Sequence, residues 1–198
     1  MDKKQQTTDT YNRSAAAMAR KFNTIGGRVE NVEKVFSYAT KENPFVLEIG
    51  CGNGRDAVEI LKKTNHYLGI DISEEMVRLA KEQSPAGEFE VADVEGYEFP
   101  QGVDIIFSFA SLLHSDKESV KQVFEEVYAA LNPGGLFFVS LKNAPYQEKA
   151  QTDEFGTRTF YYYTLEDLKG FAGEKFKVLW QDEPIHGNQK WADVLLQK

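Results

Sequence analysis

A stretch near residue 50 constrains the fold more than any other, because three glycines follow a strand-like pattern at alternate positions. The apolar run 45–49 contains one acid, Glu48, and is followed by Gly50, Gly52 and Gly54. Glycine has no Cβ, so the backbone there can adopt positive φ and a ligand can approach it closely. The helical pattern just beyond would present unpaired N–H groups at its start. The stretch therefore predicts a strand, a ligand-binding turn and a helix.

Two acidic residues near this turn, Glu48 and Asp71, limit the class of cofactor that it can bind. A second apolar run, 68–70, ends in Asp71, where a doubly wound sheet places the carboxylate that binds a ribose. A dinucleotide fold uses the spacing G-x-G-x-x-G, but here Arg55 stands where the third glycine would fall. Glu48 would repel a pyrophosphate, whereas it suits a cofactor that carries an amino group and a sulfonium. The alternative, a tight turn without a ligand, is disfavoured because the glycines and both acids occur together.

Four segments resemble one known family. Residues 46–54, V-L-E-I-G-C-G-N-G, resemble the first motif of class I S-adenosylmethionine-dependent methyltransferases. Residues 132–135, N-P-G-G, resemble the family's L-x-P-G-G before its fifth strand, and residues 10–15 resemble its Y-D/N-x-x-A opening. Residues 156–168 are more loosely similar to the segment before the last helix in a bacterial subgroup that acts on small molecules. The resemblance covers the chain from about residue 11 to its end.

The order of strand-like and helix-like segments predicts an α/β fold. Five alternating units are followed by two strand candidates, 176–180 and 191–196, which suit an antiparallel hairpin. This order matches the methyltransferase sheet. We expect a Rossmann-like, doubly wound sheet of seven strands, mostly parallel, with the antiparallel hairpin at the C-terminus.

The length of 198 residues predicts one domain. We expect a disordered tail at residues 1–10 and a single methyltransferase domain at 11–198. Within that domain, residues 11–40 are expected to form an N-terminal helical cover. Residues 142–163 are expected to form a loop on the substrate side.

Composition limits partners and location. The net charge of −8 and the pI of about 5.0 argue against nucleic acid, whose phosphates require clustered Lys and Arg. No apolar run is long enough to predict a membrane span. The single cysteine, Cys51, fits a reducing cytosol, so we expect a cytoplasmic protein, either a monomer or a homodimer. Three scattered histidines and one cysteine do not predict a metal site.

The resemblance implies how S-adenosylmethionine, or its product S-adenosylhomocysteine, would bind. Asp71 would accept from both ribose hydroxyls, although a helix N-cap acid is an alternative reading. Asp93 would accept from the adenine amine beside the Val94 N–H, and Met76 would flank the ring unless it is plain core. The full set of cofactor-binding candidates is Tyr11, Glu48, Gly50, Cys51, Gly52, Asn53, Gly54, Asp71, Ile72, Met76, Asp93, Val94, Ser108 and Phe109.

Catalysis and substrate binding are assigned to fewer residues. Methyl transfer is an in-line displacement on a sulfonium, so alignment is the main requirement and a base is needed only for a protonated nucleophile. His114, just beyond the fourth strand, is the candidate base, with a loop histidine of no catalytic role as the alternative. Arg158, Tyr161, Tyr162 and Tyr163 are the candidate substrate wall, with alternating core and surface positions as the alternative.

The predicted function is methyl transfer from S-adenosylmethionine to a small-molecule acceptor. One rival is a non-catalytic module that binds S-adenosylmethionine or S-adenosylhomocysteine. Another is a nicotinamide-dependent oxidoreductase, which the glycine spacing, Glu48 and the terminal hairpin disfavour.

Overall fold

The computed structural model describes residues 2–198. The helices are α1 (Lys3–Ile25), α2 (Val29–Phe36), α3 (Ala57–Ile60), α4 (Glu74–Gln83), α5 (Lys117–Ala130) and α6 (Leu165–Ala172). The strands are β1 (Val46–Ile49), β2 (Tyr67–Asp71), β3 (Glu88–Val91), β4 (Val103–Phe109), β5 (Leu131–Lys142), β6 (Gln147–Asp153), β7 (Gly156–Tyr162), β8 (Lys177–Asp182), β9 (Ile185–His186) and β10 (Gln189–Gln197).

A central sheet with the strand order β3-β2-β1-β4-β5-β10-β8 organises the domain. β1 to β5 are parallel, whereas β10 runs antiparallel to both β5 and β8, and the short β9 pairs with β10. The prediction of a mostly parallel, doubly wound sheet with a C-terminal antiparallel hairpin is confirmed. The chain reverses its direction of winding between β1 and β4, and ligands of such sheets bind at this point, beyond the carboxyl ends of the strands.

Two layers of helices cover the sheet because its inner strands are apolar on both faces. All four residues of β1 are buried, as a central parallel strand requires. Helices α5 and α6 pack on one face with a core that includes Ile49, Val127 and Leu168. Helices α2, α3 and α4 pack on the other face around a core that includes Val35 and Phe107.

The N-terminal segment differs from the expected tail. Helix α1 begins at Lys3, and the Asp2 side chain caps it by accepting from the Lys4 N–H. Two threonines of this segment, Thr7 and Thr10, are buried. Amphipathic helices are predicted from regularly spaced apolar residues. Because this helix buries threonines in its first turns, the sequence did not predict it there. Met1 lies outside the described residues.

The expected loop at residues 142–163 is instead an antiparallel hairpin. Strands β6 and β7 pair along their whole length, from Gln147 opposite Tyr162 to Asp153 opposite Gly156. Almost all of β6 is exposed, so the strand lacks the apolar alternation by which strands are recognised. Residues 132–135 also lie within β5, which begins earlier than the turn pattern indicated.

None of the helices in residues 2–198 is long and apolar enough to cross a membrane.

Candidate active site

A cavity of about 870 Å³ opens at the carboxyl ends of β1, β2, β4 and β5, beneath helix α1. Its volume falls within the range of about 300–1,000 Å³ that small-molecule and cofactor pockets occupy. The predicted site residues that line it are Tyr11, Gly50, Cys51, Gly52, Asn53, Asp71, Ile72, Met76, Asp93, Val94, Phe109, His114 and Arg158. The topology thus gathers residues that are more than a hundred positions apart in the chain.

The three glycines of the turn after β1 have different functions. All three have positive φ, between 54° and 77°. A Cβ at Gly50 would lie 2.1 Å from Ser111 Oγ, and one at Gly54 would lie 3.0 Å from the Ala80 Cα, so both positions allow close packing within the protein. A Cβ at Gly52 would meet nothing within 4 Å. Gly52 therefore presents bare backbone to the cavity, where a ligand can approach it.

Cys51 and Asn53 fill the rest of the turn. Burial raises the pKa of the Cys51 thiol well above its ordinary value, so the thiol stays protonated and is a poor nucleophile. Asn53 donates to Asn23 Oδ1 at 2.8 Å and to Gln83 Oε1 at 3.1 Å. These bonds connect the turn to the ends of α1 and α4.

Asp71, the last residue of β2, has a carboxylate positioned by the backbone. Oδ2 accepts from the Gly52 N–H and Oδ1 accepts from the Ser73 N–H, each at 2.9 Å. Desolvation raises the pKa of Asp71 although both bonds favour the charged form. Each oxygen keeps lone pairs available to further donors, and the residue lines the cavity. This arrangement suits a vicinal diol such as a ribose.

The neighbouring part of the cavity combines an apolar pocket with an acid. Met76 is buried beneath the start of α4, and Ile72 and Val94 line the same region. Asp93 forms an ion pair with Lys4 of α1 and accepts from the Glu95 N–H at 3.0 Å. The region has the apolar side chains and the acceptor that an adenine ring requires.

Helix α1 crosses the cavity and contacts elements on both sides of it. Thr10 and Ser14 each donate at 2.8 Å to backbone carbonyls of β7 and of the turn before it. Asn12 Oδ1 accepts from Ser73 Oγ at 2.7 Å, at the start of α4. Met18 is fully buried against α4. Helix α1 therefore lies over the cavity and is joined to both sides of it by specific contacts.

Tyr11 and His114 meet inside the cavity. His114 Nδ1 lies 2.6 Å from the Thr159 carbonyl oxygen, which can only accept, so Nδ1 carries the proton. Burial lowers the pKa of His114 to about 4, helped by the nearby charges of Arg158 and Lys142. In this neutral ring Nε2 is an acceptor, and the Tyr11 hydroxyl, 2.9 Å away, donates to it. The Tyr11 oxygen is left with lone pairs that can accept from a bound molecule.

Glu48 does not reach the cavity wall. Its carboxylate is buried and accepts from the Tyr67 hydroxyl at 2.5 Å. A Cβ at Gly69 would lie 2.6 Å from that hydroxyl, so this glycine provides the space for the contact. Burial, and then the negative charge of Asp56, raises the pKa of Glu48 to about 8. The carboxylate therefore lies beneath the turn. Of the two ways in which Glu48 could serve the amino end of a cofactor, directly or by orienting backbone and water, this position fits only the second.

Two further candidates from the cofactor set lie outside the cavity wall. Gly54 packs against α4, as described above. Ser108 is fully buried on the face of β4 that α5 covers, and its hydroxyl has no hydrogen-bond partner within residues 2–198. Phe109, the next residue along β4, points to the opposite face and does line the cavity.

The three tyrosines of the expected substrate wall are also placed elsewhere. Tyr162 accepts from Gln151 Nε2 at 2.6 Å, and the Tyr163 hydroxyl donates to the Ser115 carbonyl at 2.6 Å. Tyr161 is half-buried outside the cavity. Side chains of a strand alternate between its two faces, so Phe160 shares a face with Arg158 and both line the cavity. Tyr161 points to the other face, and neither Tyr162 nor Tyr163 lines the cavity.

A group of polar residues at another end of the cavity was not predicted from the sequence. Asp193 of β10 is buried; Asn31 of α2 donates to its Oδ2 at 3.0 Å, whereas its Oδ1 has no partner within residues 2–198. Burial raises the pKa of Asp193. Arg28 pairs with Asp56 at 2.5 Å at the same end. These contacts join residues from distant parts of the chain, which no local pattern can report.

Comparison with known proteins identifies the class. A family model described as a methyltransferase domain matches residues 46–135. The chain is 29% identical over 184 residues to malonyl-(acyl-carrier protein) O-methyltransferase 2 of Ilyobacter polytropus, covering 88% of this chain and 67% of the relative. It is 31% identical over 160 residues to enzyme 1 of the same name and organism, covering 76% of this chain and 59% of the relative. The chain thus spans roughly two thirds or less of the length of these curated relatives.

A solved structure shows the same fold. The Burkholderia thailandensis 1,6-didemethyltoxoflavin-N1-methyltransferase, with 1,6-didemethyltoxoflavin and S-adenosylhomocysteine bound, has a TM-score of 0.76 at 16% identity, covering 96% of this chain and 86% of that one. Together with the glycine turn, the strand order and the matched methyltransferase-domain model, these similarities support a class I S-adenosylmethionine-dependent methyltransferase. The cofactor of this class is S-adenosylmethionine.

Proposed function

We propose that this chain transfers a methyl group from S-adenosylmethionine to a small-molecule acceptor bound between the glycine turn and the β6–β7 hairpin. The observation that carries the proposal is the pairing of Gly52 with Asp71. The exposed backbone of Gly52 lies beside the Asp71 carboxylate on the cavity wall, and the Gly52 N–H donates to Asp71 Oδ2 at 2.9 Å.

The residues present fit the cofactor. Asp71 would accept from the ribose hydroxyls with the lone pairs that the backbone leaves available. Ile72 and Met76 would pack on the adenine, and the bare backbone at Gly52 would face the methionyl portion. When bound, the cofactor supplies a methyl group on a sulfonium, which is already an excellent leaving group.

The protein's own contribution is then alignment and, for a protonated acceptor, removal of one proton. The Tyr11 oxygen would accept that proton while the Tyr11 hydroxyl passes its own proton to His114 Nε2. The neutral state of His114 is what permits this transfer. The relatives are named for transfer to an oxygen and to a nitrogen, so the acceptor atom follows from the acceptor bound and not from the fold.

Calorimetric titration tests the cofactor half of the proposal. S-Adenosylhomocysteine should bind, and NAD should not, because the turn lacks the third glycine of a pyrophosphate site. Asp71→Asn keeps the shape of the side chain and removes its charge, so it should weaken binding. The matched control, Asp182→Asn, removes an exposed acid at the end of β8 and should leave binding unchanged. Binding of NAD in preference to S-adenosylhomocysteine would contradict the proposal.

A screen of small acceptors with labelled cofactor tests the methyl transfer itself.

A further inference from the structure

The acceptor side of the cavity contains a lysine without an anionic partner. Lys142 is the last residue of β5 and lines the cavity opposite Trp191 of β10. Among residues 2–198 no carboxylate forms an ion pair with its ammonium group, although sixteen such pairs occur elsewhere in that part of the chain. The Lys142 Nζ lies instead 3.7 Å from the centre of the Phe160 ring. Burial, and then the charge of Arg158, lowers the pKa of Lys142 to about 8.

A second cation faces the same ring. The Arg158 guanidinium carbon lies 5.4 Å from the centre of the Phe160 ring and 5.5 Å from that of Tyr11. Its Nη2 pairs with Asp153, but its Nε is buried and has no partner within residues 2–198. Only 11% of the Arg158 side chain is exposed. The guanidinium therefore retains at least one free donor, its Nε.

The two cations oppose one another, because the charge of Arg158 lowers the pKa of Lys142. Buried charges are normally paired, because an unpaired charge in a low dielectric is costly. Lys142 and Arg158 carry two positive charges, Asp153 supplies one negative charge, and His114 beside them is neutral. The group is thus short of one negative charge, on the wall that Tyr11 and His114 also form.

We propose that Lys142 and Arg158 form an anion subsite that binds a carboxylate or phosphate of the methyl acceptor. The inference rests on the proposed function, since it names the substrate class of the same cavity. An oxyanion there would accept from the Arg158 Nε and from the Lys142 ammonium group. It would supply the missing charge and leave the acceptor's nucleophile towards Tyr11. Carboxylate and phosphate share this chemistry, so the test includes both.

The experiment measures anion binding directly. Inorganic phosphate and acetate are titrated by calorimetry at constant ionic strength, into the protein alone and into the protein saturated with S-adenosylhomocysteine. Lys142→Met and Arg158→Gln should each weaken binding of the preferred anion by about ten- to a hundredfold, the scale of a lost hydrogen bond to a charged group. The preferred anion identifies phosphate or carboxylate as the natural group.

Two controls separate this effect from misfolding and from general charge. Lys149→Met removes an exposed lysine from β6 of the same hairpin, close enough to lower the pKa of Lys142, and should leave anion binding within about twofold of the original. Lys142→Arg keeps the charge and should retain most of the binding.

The outcomes distinguish this inference from the proposed function. If the unaltered protein binds neither anion, or if Lys142→Met binds as tightly as the original, the subsite is refuted. If Lys142→Met loses affinity for S-adenosylhomocysteine instead, the cations hold the cofactor carboxylate and the inference is refuted. If S-adenosylhomocysteine fails to bind any of the proteins, the proposed function fails. The titration without cofactor still decides the subsite in that case.

Discussion

The buried, neutral His114 should make folding stability depend on pH in a way that one substitution can isolate. An ordinary histidine has a pKa of 6.5, whereas burial lowers that of His114 to about 4 in the folded chain. Below pH 6.5 the unfolded chain therefore binds a proton that the folded chain does not. Stability linked to this group is fully present above pH 6.5 and is lost as the pH falls from there to 4.

The size of the effect follows from the two pKa values. Each pKa unit corresponds to 1.36 kcal/mol, so between pH 7 and pH 5 the folded state should lose about 2 kcal/mol through His114 alone. Glu48 acts in the opposite direction, because its raised pKa of about 8 makes the folded chain the better proton binder. A difference between two proteins that share Glu48 removes that contribution.

The assay is urea unfolding of the original protein and of His114→Asn at half-unit pH steps from 7 to 5. Asparagine retains a donor for the Thr159 carbonyl and does not titrate. The stability of the original protein relative to His114→Asn should fall by about 2 kcal/mol over that interval. His66→Asn, at the opposite end of the sheet and exposed, reports any general effect of removing a histidine. A flat difference for His114→Asn would refute the conclusion that His114 is buried and neutral.

The remaining predictions concern the cavity. Asp71→Asn should weaken S-adenosylhomocysteine binding by about 1.5–3 kcal/mol in calorimetry, the scale of hydrogen bonds to a charged group; unchanged affinity would remove Asp71 from the cofactor site. Gly52→Val should abolish that binding, because the side chain enters ligand space and the φ of +54° is strained for valine; normal binding would show that the turn does not contact the cofactor. Tyr11→Phe should lower turnover on a protonated acceptor about a hundredfold or more with cofactor affinity kept, and equal turnover would exclude the proton transfer to His114. Hydrogen exchange in α1 should slow when S-adenosylhomocysteine is added, and identical exchange with and without it would argue against a cover.

The features that sequence analysis predicted well are those encoded by neighbouring residues. The glycine turn, the apolar β1 and the terminal hairpin are local patterns, so they indicated the fold and the class of cofactor. Asp71 could be placed at the cavity because the carboxyl ends of parallel strands meet at one edge of a sheet. The position of Asp71 thus followed from the topology of the sheet.

The features that sequence analysis missed depend on which residues meet across the chain. The Glu48 carboxylate turns to Tyr67 because Gly69 leaves space for the phenol, and only the strand register shows this. Arg158 was predicted for the substrate wall, but its meeting with Lys142 at the end of β5 was not, because Arg158 belongs to a hairpin whose exposed strand carries no apolar alternation. A lysine and an arginine are ordinary residues at these positions. The unbalanced positive charge arises only because the fold brings the two side chains together.

The contacts of helix α1 should affect the rate of turnover. The helix is hydrogen-bonded to the hairpin on one side and to the start of α4 on the other, so neither side can release it alone. If a spent cofactor leaves past this helix, both sets of contacts must break first. Motions of this kind often limit turnover in enzymes with closing elements. Turnover in this chain should therefore respond to solvent viscosity and to changes at Thr10 or Asn12, whose side chains make these contacts.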